Sequence, residues 1–168
     1  MTEAPFPLTR HSLPGGSLRP LGADDAPLLG AACAAIDPYR RLGMSATGLA
    51  AYLMRDDLHR YTVIHEDRLA GVLVVRAPWL RGPLIEMLAV LPAAQGLGLG
   101  RQIIAWAAAQ ARPATANLWC TVSDFNQSAR HFYANCGFVE VCRLPELVTA
   151  DAAEILLRLR LDHPVTPA

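Results

Sequence analysis

Three glycines alternate with leucines in Gln95-Gly96-Leu97-Gly98-Leu99-Gly100-Arg101, directly after an apolar strand pattern and directly before a helical one. A chain that turns there from strand to helix points several unpaired backbone N–H groups outward, and glycine leaves room for an anion to reach them. Phosphate is the anion such a turn suits best. A dinucleotide fingerprint needs G-x-G-x-x-G, but Arg101 stands three residues after Gly98. Thr121 and Val122 lie about 20 residues on, where that fingerprint needs an acidic side chain. A P-loop needs Gly-Lys before Ser or Thr, and all fifteen basic residues of this chain are arginine. A tight turn without any ligand is the remaining alternative.

The elements around this segment follow from periodicity and punctuation. Residues 84–91 form an apolar strand stopped by Pro92, and a helix runs from about Leu99 to Gln110 before Pro113 closes it. Upstream, residues 17–20 are a short first strand. Asp24 and Asp25 open a helix with Pro27 in its first turn, Asp37-Pro38 breaks it, and Ser45 caps a second helix. Residues 61–65 and 70–75 are rich in strand formers around the turn Glu66-Asp67-Arg68. Downstream, residues 117–122 make a strand, Asn126 caps a helix that ends at Gly137, and strands follow over 138–143 and 153–161. This order gives a mixed α/β (α+β) domain with one central sheet of about seven strands. Residues 1–16, with three prolines and Gly15-Gly16, read as a flexible arm, 17–161 as the single domain, and 162–168 as a tail.

Composition limits what the chain can do. A length of 168 residues, about half apolar, supports one core. Fifteen basic and fifteen acidic residues cancel, so no overall field draws the protein to nucleic acid or to an anionic membrane surface. The absence of lysine excludes a Schiff-base lysine. Cys33, Cys120, Cys136 and Cys142 show no metal-ligand spacing and sit in apolar stretches, so no metal is expected, and a reducing cytoplasmic setting is. No apolar run of about 18 residues escapes charge or proline, so no membrane span is expected.

Gln95 to Arg101 resembles motif A of the GNAT N-acetyltransferases, Gln/Arg-x-x-Gly-x-Gly/Ala. Asn126-Gln127-Ser128-Ala129-Arg130-His131-Phe132-Tyr133 with Gly137-Phe138 is similar to the family's motif B. The resemblance spans roughly residues 61–161 and is strongest over 84–138. It implies the GNAT fold, a mixed, mostly antiparallel sheet with helices on both faces. It also implies acetyl-coenzyme A as donor and direct attack by an acceptor amine, without a covalent enzyme intermediate. Backbone amides at Leu88, Ala89 and Val90 would hold the acetyl carbonyl and pantetheine. Gln95, Gly96, Leu97, Gly98, Leu99, Gly100 and Arg101 would take the pyrophosphate, and Asn126 would both cap its helix and contact the cofactor.

Tyr133 is the implied general acid, since a phenol with a reference pKa of about 10 suits a departing thiolate of about 8.5. Its alternative is core packing with Ala129, Phe132 and Cys136 at helical spacing. Glu86 resembles the family's base position, with an exposed or arginine-paired strand residue as the alternative. Thr121 stands where ribosomal-protein N-terminal acetylases carry a glutamate, which weakens that substrate assignment. A water relay through Ser123, Asp124 or His131 is a further route to a base.

The acceptor would meet Asp37-Pro38-Tyr39-Arg40-Arg41-Leu42-Gly43 and Ala77-Pro78-Trp79-Leu80-Arg81-Gly82. Arg40, Arg41 and Arg81 suit an acceptor that carries a carboxylate, or else form a solvated surface with Trp79 in a homodimer contact. The expectation is an acetyltransferase for a small amine or amino-acid-like acceptor. The alternatives are acetylation of a protein α-amine or lysine, and a silent acyl-CoA-binding module.

Overall fold

The computed structural model describes residues 6–162. Eight strands form one sheet: β1 (His11–Leu13), β2 (Gly16–Pro20), β3 (His59–His65), β4 (Arg68–Trp79), β5 (Gly82–Val90), β6 (Asn117–Ser123), β7 (Val139–Pro145) and β8 (Ala153–Arg160). Their spatial order is β1-β2-β3-β4-β5-β6-β8-β7, with every pair antiparallel except β5 with β6. Helices α1 (Asp25–Ala34) and α2 (Ala46–Leu53) cover one face through Leu29, Cys33, Leu49 and Leu53 against Val72, Val74, Met87 and Ala89. Helices α3 (Leu99–Ala111) and α4 (Gln127–Asn135) cover the other, where Ile103, Ala107 and Tyr133 meet Leu73, Ile85, Cys120 and Leu157.

The sheet is continuous except at its centre. Strands β5 and β6 pair only at Leu84 with Trp119 and Ile85 with Cys120. Both then run on, β5 paired to β4 on its other side from Met87 to Val90 and β6 to β8. The register between β4 and β5 shifts from Val74 opposite Met87 to Val75 opposite Ile85, leaving Glu86 as a bulged residue without a partner. A bulge bends its strand, and this one sits where β5 leaves β6. Beyond it, the β6-facing backbone groups of residues 86–90 have no strand to bond, which in a protein interior demands another partner.

The N-terminal segment corrects the sequence expectation. From Phe6 onward it is part of the core rather than a loose arm: Phe6 is buried against Trp106 at 5.8 Å, and the Tyr61 hydroxyl donates to the Pro7 carbonyl at 3.0 Å. His11-Ser12-Leu13 adds the eighth strand by pairing across the Pro14-Gly15 turn to β2. Residues 1–5, and 163–168 of the expected tail, lie outside the described residues.

Asp25 ties α1 to the sheet. Its carboxylate accepts two bonds from Arg19 at 2.6 and 3.0 Å, one from the Thr62 hydroxyl at 2.7 Å and one from the Gly22 amide at 3.3 Å. Burial alone would raise its pKa, but these donors outweigh burial and hold it below the ordinary range. A depressed carboxyl pKa contributes stability above the unfolded pKa and loses it as pH falls through the folded one. Asp25→Asn is therefore expected to lower unfolding stability by about 1–3 kcal/mol at pH 7. In denaturant titrations at successive pH values the deficit should shrink below about pH 4.

Candidate functional site

A cavity of about 510 Å³ lies beyond the point where β5 leaves β6, lined by Leu88, Ala89 and Val90, by Gln95, Gly96, Gly98, Leu99, Gly100 and Arg101, and by Asn126, Phe132 and Tyr133 at and along α4. Two motifs far apart in sequence thus meet across one cleft.

The glycine-rich turn is built to receive an anion. Gly96 and Gly98 have φ of +77° and +78°, a backbone region in which a side chain is strained, and nothing lies within 4 Å of a Cβ placed on Gly96. Gly98 is the N-cap of α3, and the first intrahelical bond is Gln102 N–H to Gly98 C=O at 3.1 Å. The amides of Leu99, Gly100 and Arg101 precede that bond and have no intrahelical acceptor. The first turn carries no acidic side chain to compete for the positive end of the helix.

Three members of this segment have further duties. Gly100 lets α4 approach, since a Cβ there would stand 3.0 Å from Cζ of Phe132. Gln95 donates to the Val90 carbonyl at 2.9 Å, bracing the turn against the end of β5. Arg101 donates to the Asn135 carbonyl at 3.3 Å and joins the start of α3 to the end of α4. Leu97 is half exposed and does not line the cavity, so any contribution it makes is through its backbone.

Asn126 caps α4, its Oδ1 accepting from the Ala129 amide at 3.1 Å. Two turns on, Tyr133 is 7% exposed and packs edge-on to Phe132 and Phe138 at 5.1 and 5.4 Å. Its hydroxyl makes no hydrogen bond among the described residues. Burial above all, with Cys120, Tyr39 and Cys136 nearby, pushes the phenol's pKa well up, so the proton stays on the oxygen.

A second cavity of about 160 Å³ shares Pro38, Tyr39, Leu88, Asn126, Ala129 and Tyr133 with the first. It continues to Glu86, Thr121, Ser123 and Glu154. Glu86 Oε1 accepts from Arg76 Nε and Nη2 at 3.2 and 3.1 Å, and Arg76 also pairs with Asp57 at 3.1 Å. Glu86 Oε2 is buried without a hydrogen-bond partner. Tyr52 of α2 lies beside it, and burial, reinforced by the Glu86 charge, raises that phenol's pKa.

Several sequence candidates lie elsewhere. Arg40 pairs with Asp37 at 3.2 Å, and Arg41 stacks 3.9 Å over the Phe125 ring. Arg81 closes the β4–β5 turn, its carbonyl accepting from Asn117, and Trp79 packs on Trp119 of the same chain at 5.7 Å. None of these four lines either cavity. Asp124 is bridged to Arg143 at 2.9 Å, and His131 is exposed and lines neither cavity. Glu154 was not singled out by sequence reasoning. The one signal available was an acidic side chain directly before the apolar run Ile155-Leu156-Leu157.

Among the described residues no group of three or more His, Cys, Asp or Glu is disposed to hold a metal ion, and no helix is long and apolar enough to cross a membrane.

The model of the GNAT acetyltransferase family matches residues 28–138. The chain belongs to the GNAT acetyltransferases. No curated protein matches the sequence. Among solved structures, nourseothricin acetyltransferase is similar at 26% identity and a TM-score of 0.57. The match covers 62% of this chain and 66% of that one, so this chain spans just under two thirds of that protein's length. A Bacillus anthracis protein assigned as a streptothricin acetyltransferase and solved with acetyl-coenzyme A is 23% identical, with a TM-score of 0.56 over 67% of this chain and 68% of that one. The Escherichia coli ribosomal-protein-S18-alanine N-acetyltransferase is 20% identical, with a TM-score of 0.65 over 90% and 97%.

Acetyl-coenzyme A at about 100 times its Kd is expected to stabilise the chain by about 2.7 kcal/mol, a rise in Tm of roughly 5–10 °C. Gly98→Glu, which places an anion and a strained side chain in the turn, should abolish the rise. A native chain that no acyl-CoA stabilises would contradict the assignment of this cleft.

Proposed function

We propose that the chain transfers an acetyl group from acetyl-coenzyme A to a small primary amine. The observation that carries this reading is the continuity of the two cavities through Tyr133: one ends at the anion-receiving turn, the other at carboxylates, and the phenol lines both. The residues present fit the donor, since an open cradle of glycine amides faces the larger cavity and unpaired strand backbone borders it. When bound, acetyl-coenzyme A supplies a thioester carbonyl open to direct attack by an amine.

The chain's own groups divide the remaining work. The amides of Gly96 to Arg101 and the α3 N-terminus hold the pyrophosphate. Ala89 turns its backbone groups to β4, so the amides of Leu88 and Val90, which face away from β4, hold the pantetheine and place a donor where negative charge develops on the carbonyl oxygen. Tyr133 carries a proton that burial keeps on its oxygen, ready for the leaving sulfur. Glu86 has one oxygen committed to Arg76 and one uncommitted, which suits it to align the acceptor.

Acceptor size and charge narrow the choice. A cavity of about 160 Å³ has room for a small amine headgroup. The arginines that would have received a carboxylate stand outside it, which favours an amine over an amino-acid-like acceptor. The matched structures carry printed activities on an antibiotic and on a protein α-amine, so the fold alone selects neither acceptor.

The test is free-thiol release from acetyl-coenzyme A across a panel of primary amines. Tyr133→Phe is expected to lower kcat by about 10²-fold or more at pH 7 while leaving the KM for acetyl-coenzyme A within about 3-fold. Equal turnover would assign Tyr133 to packing alone.

A further inference from the structure

Glu154 is the one charged residue in the second cavity that no cationic side chain balances. It is 6% exposed, at the start of β8, and its Oε1 accepts from the Ser123 hydroxyl at 2.6 Å across the β6–β8 pairing. Burying a carboxylate without a cation is costly, so such a group is uncommon unless a ligand compensates it. The only other ionic residue on these walls, Glu86, is matched by Arg76, and no Arg or His lines the cavity. The neighbouring charges cancel as well, Asp57 lying between Arg55 and Arg76, and Asp124 against Arg143. One uncompensated negative charge therefore faces the acceptor space, between Tyr133 and Tyr39.

We propose that Glu154, oriented by Ser123, receives the acceptor as an ammonium ion and takes the proton that the nitrogen must lose before it attacks. This rests on the acetyltransferase reading above and adds the substrate class: a monocationic amine without a carboxylate of its own. In the step itself one N–H bond breaks and one O–H bond forms. The ammonium becomes a neutral amine with a free lone pair, the carboxylate becomes a carboxylic acid, and that proton later leaves to solvent. Burial, and behind it the charge of Asp124, raises the Glu154 pKa, which makes it a better proton acceptor than an exposed glutamate. The titratable or charged groups around it are Asp124 beyond β6, Arg143 on β7, Tyr39 before α2, Tyr133 on α4 and Glu86 on β5. Ser123 is a positioning residue.

The experiment compares native chain, Glu154→Gln, Ser123→Ala and Glu86→Gln in thiol-release kinetics from pH 5 to 9. Acceptors are paired amines and amino acids that differ only by a carboxylate. Glu154→Gln is expected to lower kcat/KM for the amine by about 10²-fold or more, without changing the KM for acetyl-coenzyme A, and to lose the acid limb of the pH profile. Ser123→Ala should move that limb to higher pH, because it removes a donor that favours the charged carboxylate. The native chain should prefer each amine over its amino acid by about 10-fold or more.

Thermal unfolding supplies a reading apart from turnover. A raised carboxyl pKa costs stability as pH rises through it, so Glu154→Gln should melt above the native chain at pH 8, with the excess shrinking toward pH 4. An excess independent of pH would overturn the assignment. So would turnover that Glu154→Gln retains and Glu86→Gln loses, while the acetyltransferase reading stood. A native chain stabilised by acetyl-coenzyme A but inactive on every amine would overturn both.

Discussion

The parting of β5 from β6 is the constraint from which the site follows. A parallel pair of strands that stays together would satisfy its own backbone and leave nowhere for a ligand. Here two register pairs hold the strands at Leu84 and Ile85, and the Glu86 bulge then turns β5 aside. The separation exposes a row of backbone groups, opens a cleft to both faces of the sheet, and carries the chain into the glycine turn at the cleft's mouth. Helix α4 closes the opposite wall, and Gly100 sets how near it comes by leaving space for Phe132.

The packing on either side of the opening keeps it from collapsing. On one face Asp25 locks α1 to β2 and β3, and on the other Trp106 of α3 is seated among Phe6, His11 and Tyr61. Between these flanks the turn keeps Gly96 and Gly98 at positive φ, which glycine adopts without strain. Arginines are committed to Asp25, Asp37, Asp57, Glu86 and Asp124, so the cleft presents backbone amides at one end and carboxylates at the other.

What could be read from sequence was local in character. Gln95 to Arg101 and Asn126 to Tyr133 declare themselves because turn, cap and helix chemistry are encoded in adjacent residues, and the structure sets them across one cleft. The strands from 61 onward were legible for the same reason. The eighth strand was not, because His11-Ser12-Leu13 has no strand signature of its own and exists through pairing to β2. The surroundings of Arg41 and Trp79 were not legible, since their partners, Phe125 and Trp119, are remote in sequence. Glu154 stayed hidden because its meaning depends on the β6–β8 register that brings it to Ser123, and on a cavity wall that no Arg or His lines.

If the opened sheet and the glycine turn together form the donor site, amide hydrogen exchange followed residue by residue with and without acetyl-coenzyme A reads both parts at once. Slowing concentrated at Leu88 and Val90 and over Gly96 to Arg101, with β7 unchanged, is the predicted result. Unaltered exchange over Gly96 to Arg101 at saturating acetyl-coenzyme A would contradict it.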